Sequence, residues 1–258
     1  MNSKIKKMAR AGYVAKGVVY GVTGLLTFMA AFNMGGTKTG QKGVFKFLED
    51  QPFGNAILIL MAIGLVCYSG WRFYQSIKDP ENIGSHDKGK IKRIGFFISG
   101  LIYLGYAVYA IITLINAGSS GGGKTFSFLS GNFGIFVFAV IGLSLVGVCI
   151  FQIKKATFGK FLQKFNYKSI TEEKRRKVIK NTGYLGIISR AVIFGVMAFV
   201  FLRAAYRSNT NDIKTTADAF SFLQDSAYGA WLMGLVAAGL VLYGIFMFMT
   251  AKYRRFQT

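Results

Sequence analysis

Gly12-Tyr13-Val14-Ala15-Lys16-Gly17-Val18-Val19-Tyr20-Gly21-Val22-Thr23-Gly24 opens a unit that the chain writes again at Gly95-Phe96-Phe97-Ile98-Ser99-Gly100-Leu101-Ile102-Tyr103 and at Gly186-Ile187-Ile188-Ser189-Arg190-Ala191-Val192-Ile193-Phe194. In each copy a glycine is followed four residues on by Lys16, Ser99 or Arg190, then by a small residue, Gly17, Gly100 or Ala191. Three positions further stands an aromatic ring, Tyr20, Tyr103 or Phe194. Shared spacing over several positions marks an internal repeat.

Each copy continues in the same order. A Phe-x-Phe-Leu piece follows the first apolar run, at Phe45 to Leu48, Phe126 to Leu129 and Phe220 to Leu223, and an aromatic-glycine pair (Phe53-Gly54, Phe133-Gly134, Tyr228-Gly229) opens a second apolar run. The organisation expected is three two-helix hairpins, residues 1–86, 87–170 and 171–258, set around a pseudo-threefold axis along the membrane normal.

The chain has 258 residues, 52% of them hydrophobic, with a mean hydropathy of +0.40. Uncharged windows run over 17–37, 51–71, 94–123, 125–153 and 226–251, each as long as the roughly 20 residues that cross a bilayer. A sixth, between Arg190 and Arg203, is shorter, and it spans if both arginines reach outward to opposite head-group layers. The fold class is therefore all-α, a polytopic membrane protein with six spans near 13–33, 54–77, 94–116, 133–153, 185–206 and 228–250. A cleaved secretory signal in the first run would remove half of a repeat that is intact elsewhere, so that run reads as a span.

The net charge of +22 is unevenly placed. With the amino terminus inside, residues 1–16, 72–93, 154–190 and 252–258 hold 25 Lys and Arg against 5 acids, whereas the opposite loops hold 7 against 5. This asymmetry predicts both termini in the cytoplasm. It also implies attraction to anionic head groups on that side, and no dedicated nucleic-acid surface is evident.

The chemistry-bearing residues are few. His86 is the one histidine and lies in a linker, and no acid falls within a span, which excludes histidine metal clusters, haem ligation and a carboxylate proton relay. No catalytic, cofactor or metal residues are assigned. Cys67 and Cys149 read as packing residues. Gly17 and Gly21, and Ala191 and Gly195, sit four apart, with Gly100 in the second copy, as small-residue ridges that let helix backbones approach in lipid. The odd-numbered spans are accordingly expected to be the inner, contact-making ones.

The embedded cations Lys16, Arg72 and Arg190 admit two readings: topology anchors that snorkel to the inner interface, or contacts that draw an anionic lipid or solute into the inner mouth between odd spans. Tyr20 and Tyr103 would line a central pathway if one exists. Asn33, Asn116 and Arg207 mark the outer ends of the odd spans, while Asp50, Asn132 and Asp225 are placed to cap the even ones, with Pro52 in a first helical turn. The Phe-x-Phe-Leu pieces read as interfacial turns of helix. Phe158, Phe161, Leu162 and Phe165 suggest a helix lying along the inner leaflet.

Gly12-Tyr13-Val14-Ala15-Lys16-Gly17-Val18-Val19-Tyr20 together with Gln51-Pro52-Phe53-Gly54 resembles the repeat of a bacterial membrane family known only as domain of unknown function 1206. The second and third copies depart from it, with Ser99 in place of the base and Asn132 or Ala227 ahead of the aromatic-glycine pair. The resemblance covers residues 9–256, implies a six-helix protein of the bacterial inner membrane, and implies no activity. From the residues, the expected role is a non-enzymatic scaffold or accessory subunit binding membrane lipid, a protein partner or a second copy of itself. The alternative is a channel or facilitator for a small neutral or anionic solute, which requires a water-filled axis.

Overall fold

The computed structural model describes residues 3–36, 41–84, 86–115, 132–159, 161–165, 172–206, 220, 224 and 228–255. Seven α-helices account for most of them: α1 (Ser3–Ala31), α2 (Gln41–Glu49), α3 (Gly54–Lys78), α4 (Asp87–Ile115), α5 (Asn132–Thr157), α6 (Glu173–Tyr206) and α7 (Gly229–Tyr253). All but the short α2 are long and apolar enough to cross a membrane, so the chain is an all-helical integral membrane protein with six candidate spans.

The apolar runs locate the spans, but helices α1, α4 and α6 begin well before them, at Ser3, Asp87 and Glu173. Their leading turns are rich in Lys and Arg, joined in α1 by Met and Ala, all of them residues that favour a helix, so each continues out of the apolar zone into its basic flank. Asp87 and Glu173 lie in the first turns of α4 and α6, where an acid complements the helix dipole.

The spans pack in the order α4, α3, α1, α7, α6, α5, each against the next. Helices α4 and α5, consecutive in the chain, make no extended contact, so among the described residues the arrangement is an arc with one open side. The expectation that odd-numbered spans form the interior is corrected here. Over their membrane windows α1 and α7, the first and the sixth spans, are each 56% buried, against 22% for α4 and 17% for α5. The middle helices of the arc have neighbours on both sides, whereas α4 and α5 terminate it.

The tightest seam joins α1 to α7. A methyl group built on Gly24 would lie 2.6 Å from the Ala237 carbonyl oxygen, and one on Gly244 would lie 2.8 Å from the Gly17 carbonyl oxygen and 2.9 Å from the Gly21 Cα. Gly17 meets the Phe248 ring in the same way. Van der Waals packing of this kind drives helix association in lipid, where there is no hydrophobic gain. Gly100 admits the Phe73 ring from α3, Ala191 is buried, and Gly195 faces Cys149 of α5 at ordinary contact distance.

Several local expectations are corrected. Phe53, in the left-handed region, is the N-cap of α3 and has no side-chain cap bond, so Asp50 does not cap it; Pro52 lies in the preceding turn instead of the first helical turn. Tyr228 precedes α7, also without a side-chain cap bond. The Phe45 piece is helical, but it is folded inward: Phe45 and Leu48 are buried beneath α2, which packs on α1, α3 and α4. The expected helix along the inner leaflet is absent from the described residues of that linker. Instead Leu162–Lys164 forms one 3-10 turn, with Phe161 and Phe165 buried against Phe246 of α7 while Phe158 stays exposed. Aromatic stacking on the bundle end offers Phe161 and Phe165 more contact than the head-group layer does. Asn33 adopts a left-handed turn after α1. Asn116, Asp225, Arg207 and the Phe126 to Leu129 piece lie outside the described residues.

The glycine seam makes a direct prediction. Gly24→Val and Gly244→Val should each destabilise the detergent-solubilised protein by about 1–3 kcal/mol through overpacking. Gly21→Ala, whose methyl group meets nothing within 4 Å, should change it little. Thermal unfolding of the purified variants checks the contrast.

Candidate functional site

The repeat motif of α1 places Lys16 one turn before Tyr20, on the face turned into the arc. Lys16 does not snorkel. It is 4% exposed, and its ammonium donates to the Tyr68 hydroxyl of α3 at 3.0 Å. The rings of Tyr68, Tyr103, Tyr20 and Tyr243 lie 4.8, 4.9, 5.7 and 5.8 Å from its Nζ, contributed by α3, α4, α1 and α7. A desolvated ammonium gains about 2 kcal/mol or more from such a ring, although an ion buried without a counter-charge costs several kcal/mol.

Arg190 on α6 repeats this arrangement. Its guanidinium donates to the Tyr243 hydroxyl at 2.7 Å and lies over the rings of Tyr243, Tyr20 and Phe194. The backbone explains why two distant stretches do the same thing. A methyl group on Gly12 would strike the Tyr68 Cα at 2.5 Å, and one on Gly186 would strike the Tyr243 Cα at the same distance. In both hairpins a glycine one turn ahead of the cation lets the partner helix close in, bringing its tyrosine hydroxyl within reach. The second hairpin has Ser99 at this position and Gly95 before it, with nothing within 4 Å of a Gly95 methyl group.

Arg72, the third candidate, donates to Tyr68 at 2.7 Å and to Gln75 at 3.1 Å, and it stacks on Tyr68 and Phe96. Tyr20 and Tyr103 meet hydroxyl to hydroxyl at 3.4 Å, and Tyr103 packs edge-on against Tyr68. The structure thus brings together Lys16, Arg72, Arg190, Tyr20, Tyr103 and Phe194. Gly17, Gly100, Ala191 and Gly195 instead belong to the helix seams.

At the basic end of the bundle lies a layer that the motifs did not disclose. Glu81, between α3 and α4, accepts from Lys164 at 2.8 Å, from Gln75 at 2.6 Å and from Arg254. Arg254 also donates to Tyr13. Asp79 shapes the loop by accepting the amides of Ile83 and Gly84 at 2.9 and 2.8 Å. The Lys164 turn is held to the chain end by the Arg255 amide, which donates to the Lys164 carbonyl at 2.9 Å. Burial alone would raise the Glu81 carboxyl, but Lys164 and Arg254 outweigh it and hold the group at about 2. Burial and the neighbouring Arg254 push Lys164 down to about 8 despite its bond to Glu81. One carboxylate is therefore shared by more positive charge than it neutralises, and Lys164 carries the surplus.

Lys155 of α5 lies in electrostatic reach of Lys164, Arg72, Arg190 and Arg254. Six cations, Lys16, Arg72, Lys155, Lys164, Arg190 and Arg254, converge on the inner side of the arc, and Glu81 is the one acid bonded among them in the described residues. Among the described residues, buried side-chain nitrogens without an acceptor include Nε of Arg72, Nε of Arg190 and, on α5, the amide nitrogen of Gln152. The chemistry on offer is recognition of negatively charged oxygen. No group of three or more metal-binding side chains occurs among the described residues.

Among the described residues, the two best-formed hollows do not follow a central axis. Tyr20 and Tyr103 touch, and both hollows are peripheral. One, about 340 Å³, lies between Ile59, Ile63, Cys67 and Ile111; the other, about 380 Å³, lies beside Ser76, Arg93 and Phe97.

Comparison with known proteins agrees with this picture. The model of the family described as "Domain of Unknown Function (DUF1206)" matches residues 11–79 and 185–254, the two stretches that build the Lys16–Tyr68 and Arg190–Tyr243 pairs. An uncharacterised protein of Bacillus subtilis (strain 168), YxxB, is 30% identical over 253 residues, covering 97% of this chain and 91% of the relative. No solved structure matches the chain.

The ion-pair layer has a pH signature. The folded Glu81 carboxyl sits below its ordinary value of 4.5, so its contribution, about 3 kcal/mol at full ionisation, is present above that value and is lost as pH falls towards about 2. Glu81→Gln should lower the melting temperature at pH 6. The gap to the parent should close as both are titrated from pH ~4.5 down to ~2, which unfolding scans against pH can follow.

Proposed function

The chain belongs to the family of domain of unknown function 1206, and from that premise we propose that it is a non-enzymatic scaffold of the bacterial inner membrane that holds anionic lipid head groups at its cytoplasmic end. The observation that carries this reading is a cluster of six cations in which, among the described residues, one carboxylate is bonded by two of them, Lys164 and Arg254, while Nε of Arg72, Nε of Arg190 and the Gln152 amide nitrogen are buried without an acceptor. A cluster of like charges in a medium of low dielectric is costly, and an anion supplied from outside removes that cost. The basic flanks support the orientation, since the positive residues gather on the side that carries both ends of the chain. Phospholipid phosphates are the anions at highest concentration at that depth.

The tyrosine lining has its own part. Aromatic faces hold Lys16 and Arg190 in place while no anion is present, and their hydroxyls accept the hydrogen bonds that a phosphate would otherwise take. A protein partner or a second copy would then engage the outer surfaces and leave this centre to lipid.

The test is thermal unfolding in mild detergent with added lipid. Anionic phosphatidylglycerol should stabilise the protein by about 2–3 kcal/mol when present at roughly a hundred times its dissociation constant, and zwitterionic phosphatidylcholine should not. Lys16→Met should remain folded, because an apolar side chain of similar volume substitutes well for a buried ion, yet it should lose most of that lipid response. Equal stabilisation by both lipids, or purification as a bare monomer with neither lipid nor partner, would refute the reading.

A further inference from the structure

The open side of the arc lies between α4 and α5, and its walls can be read from the faces already engaged. Helix α4 turns Phe97, Gly100 and Tyr103 toward α3, and α5 turns Phe138, Gly142 and Cys149 toward α6. Roughly a third of a turn round from those faces, each helix carries a second stripe at i, i+4, i+7 and i+11. On α4 the stripe is Gly95, Ser99, Ile102 and Tyr106; on α5 it is Ser144, Val148, Phe151 and Lys155. Ile102, Val148 and Phe151 are exposed, Tyr106 packs edge-on against Tyr103, and Lys155 ends the α5 stripe one turn beyond Phe151. The two stripes therefore offer apolar side chains beside the open side of the arc, with Lys155 at the basic end of the α5 stripe.

From this juxtaposition we infer that a passage between α4 and α5 seats one anionic phospholipid, entering sideways from the inner leaflet, its acyl chains between Ile102 and Val148 and its phosphate at Lys155, Arg72 and Arg190. The inference rests on the reading of the cations as a lipid head-group centre and adds where, how and in what number the lipid binds. Charge complementarity selects the occupant. A helix from a second copy would fill the apolar part of the passage but would leave the cations without an anion. An acyl chain joined to a phosphate satisfies both. Gln152, more than nine-tenths buried on α5 with its amide nitrogen lacking an acceptor, lies between the α6-facing surface and the stripe and supplies a further donor at the same level. Gly95, whose counterparts in the other hairpins are glycines pressed against a tyrosine backbone, has open space here, which agrees with a seat between α4 and α5.

The experiment counts lipid phosphorus, with identification by mass spectrometry, per mole of the full chain purified in mild non-ionic detergent. About one anionic phospholipid per chain is expected, retained through a wash with excess phosphatidylcholine. Ile102→Trp with Val148→Trp fills the passage at exposed positions without altering charge, and Lys155→Gln with Arg190→Gln removes two head-group contacts. Each pair should lower the retained lipid about tenfold, and the tryptophan variant should keep the parent's helix content and monomeric size. Lipid lost from the charge variant but kept by the tryptophan variant would overturn the lateral seat while leaving the head-group centre standing. Lipid absent from the parent would overturn both, as would a parent dimer free of lipid, in which a second copy covers the passage.

Discussion

An ammonium group buried among four tyrosine rings, with no carboxylate beside it, is the constraint on which this structure turns. Lys16 cannot sit where it does unless α3, α4 and α7 each bring an aromatic face to it, and those three helices are positioned by seams in which glycines remove the side chains that would hold them apart. Packing and electrostatics are thus one problem. The small residues set the helix spacing, the spacing sets the reach of the tyrosine hydroxyls, and the hydroxyls make a buried cation tolerable.

Two of the three hairpins solve that problem in the same way, and the family model matches those two. The other departs at the residue that matters: Ser99 carries no charge to hold a partner tyrosine, Gly95 has no close neighbour, and α4 and α5 do not close on each other. The copy of the motif with the neutral residue is thus the one whose two helices do not pack on each other. The largely buried ion-pair layer around Glu81, Lys164 and Arg254 ties the loop after α3 to the segment after α7, so the basic end is fastened even though the arc is not a ring.

The span count and the residues of the centre were legible in the sequence because bilayer thickness and repeat spacing act on the sequence locally. Lys16, Arg190, Tyr20 and Tyr103 stood out by position in the repeat alone. Their direction was not legible: a lysine near the end of an apolar run snorkels or turns inward depending on whether tyrosines from other helices are waiting, and Tyr68 and Tyr243 are 52 and 53 residues from their cations. The Glu81 layer escaped for the same reason, since Arg254 and Glu81 are 173 residues apart and neither belongs to a motif. The burial of α7 and the exposure of α4 follow from packing order, which hairpin repetition leaves undetermined.

The measurement that bears most directly on this account is an experimental structure of the full chain in a lipid nanodisc, resolved well enough to place the Lys16 and Arg190 side chains. Lys16 directed into the bundle, with its ammonium within hydrogen-bond distance of the Tyr68 hydroxyl and Arg190 against Tyr243, is the result predicted. Both side chains extended outward to the head-group layer, with an apolar centre between the helices, would contradict it.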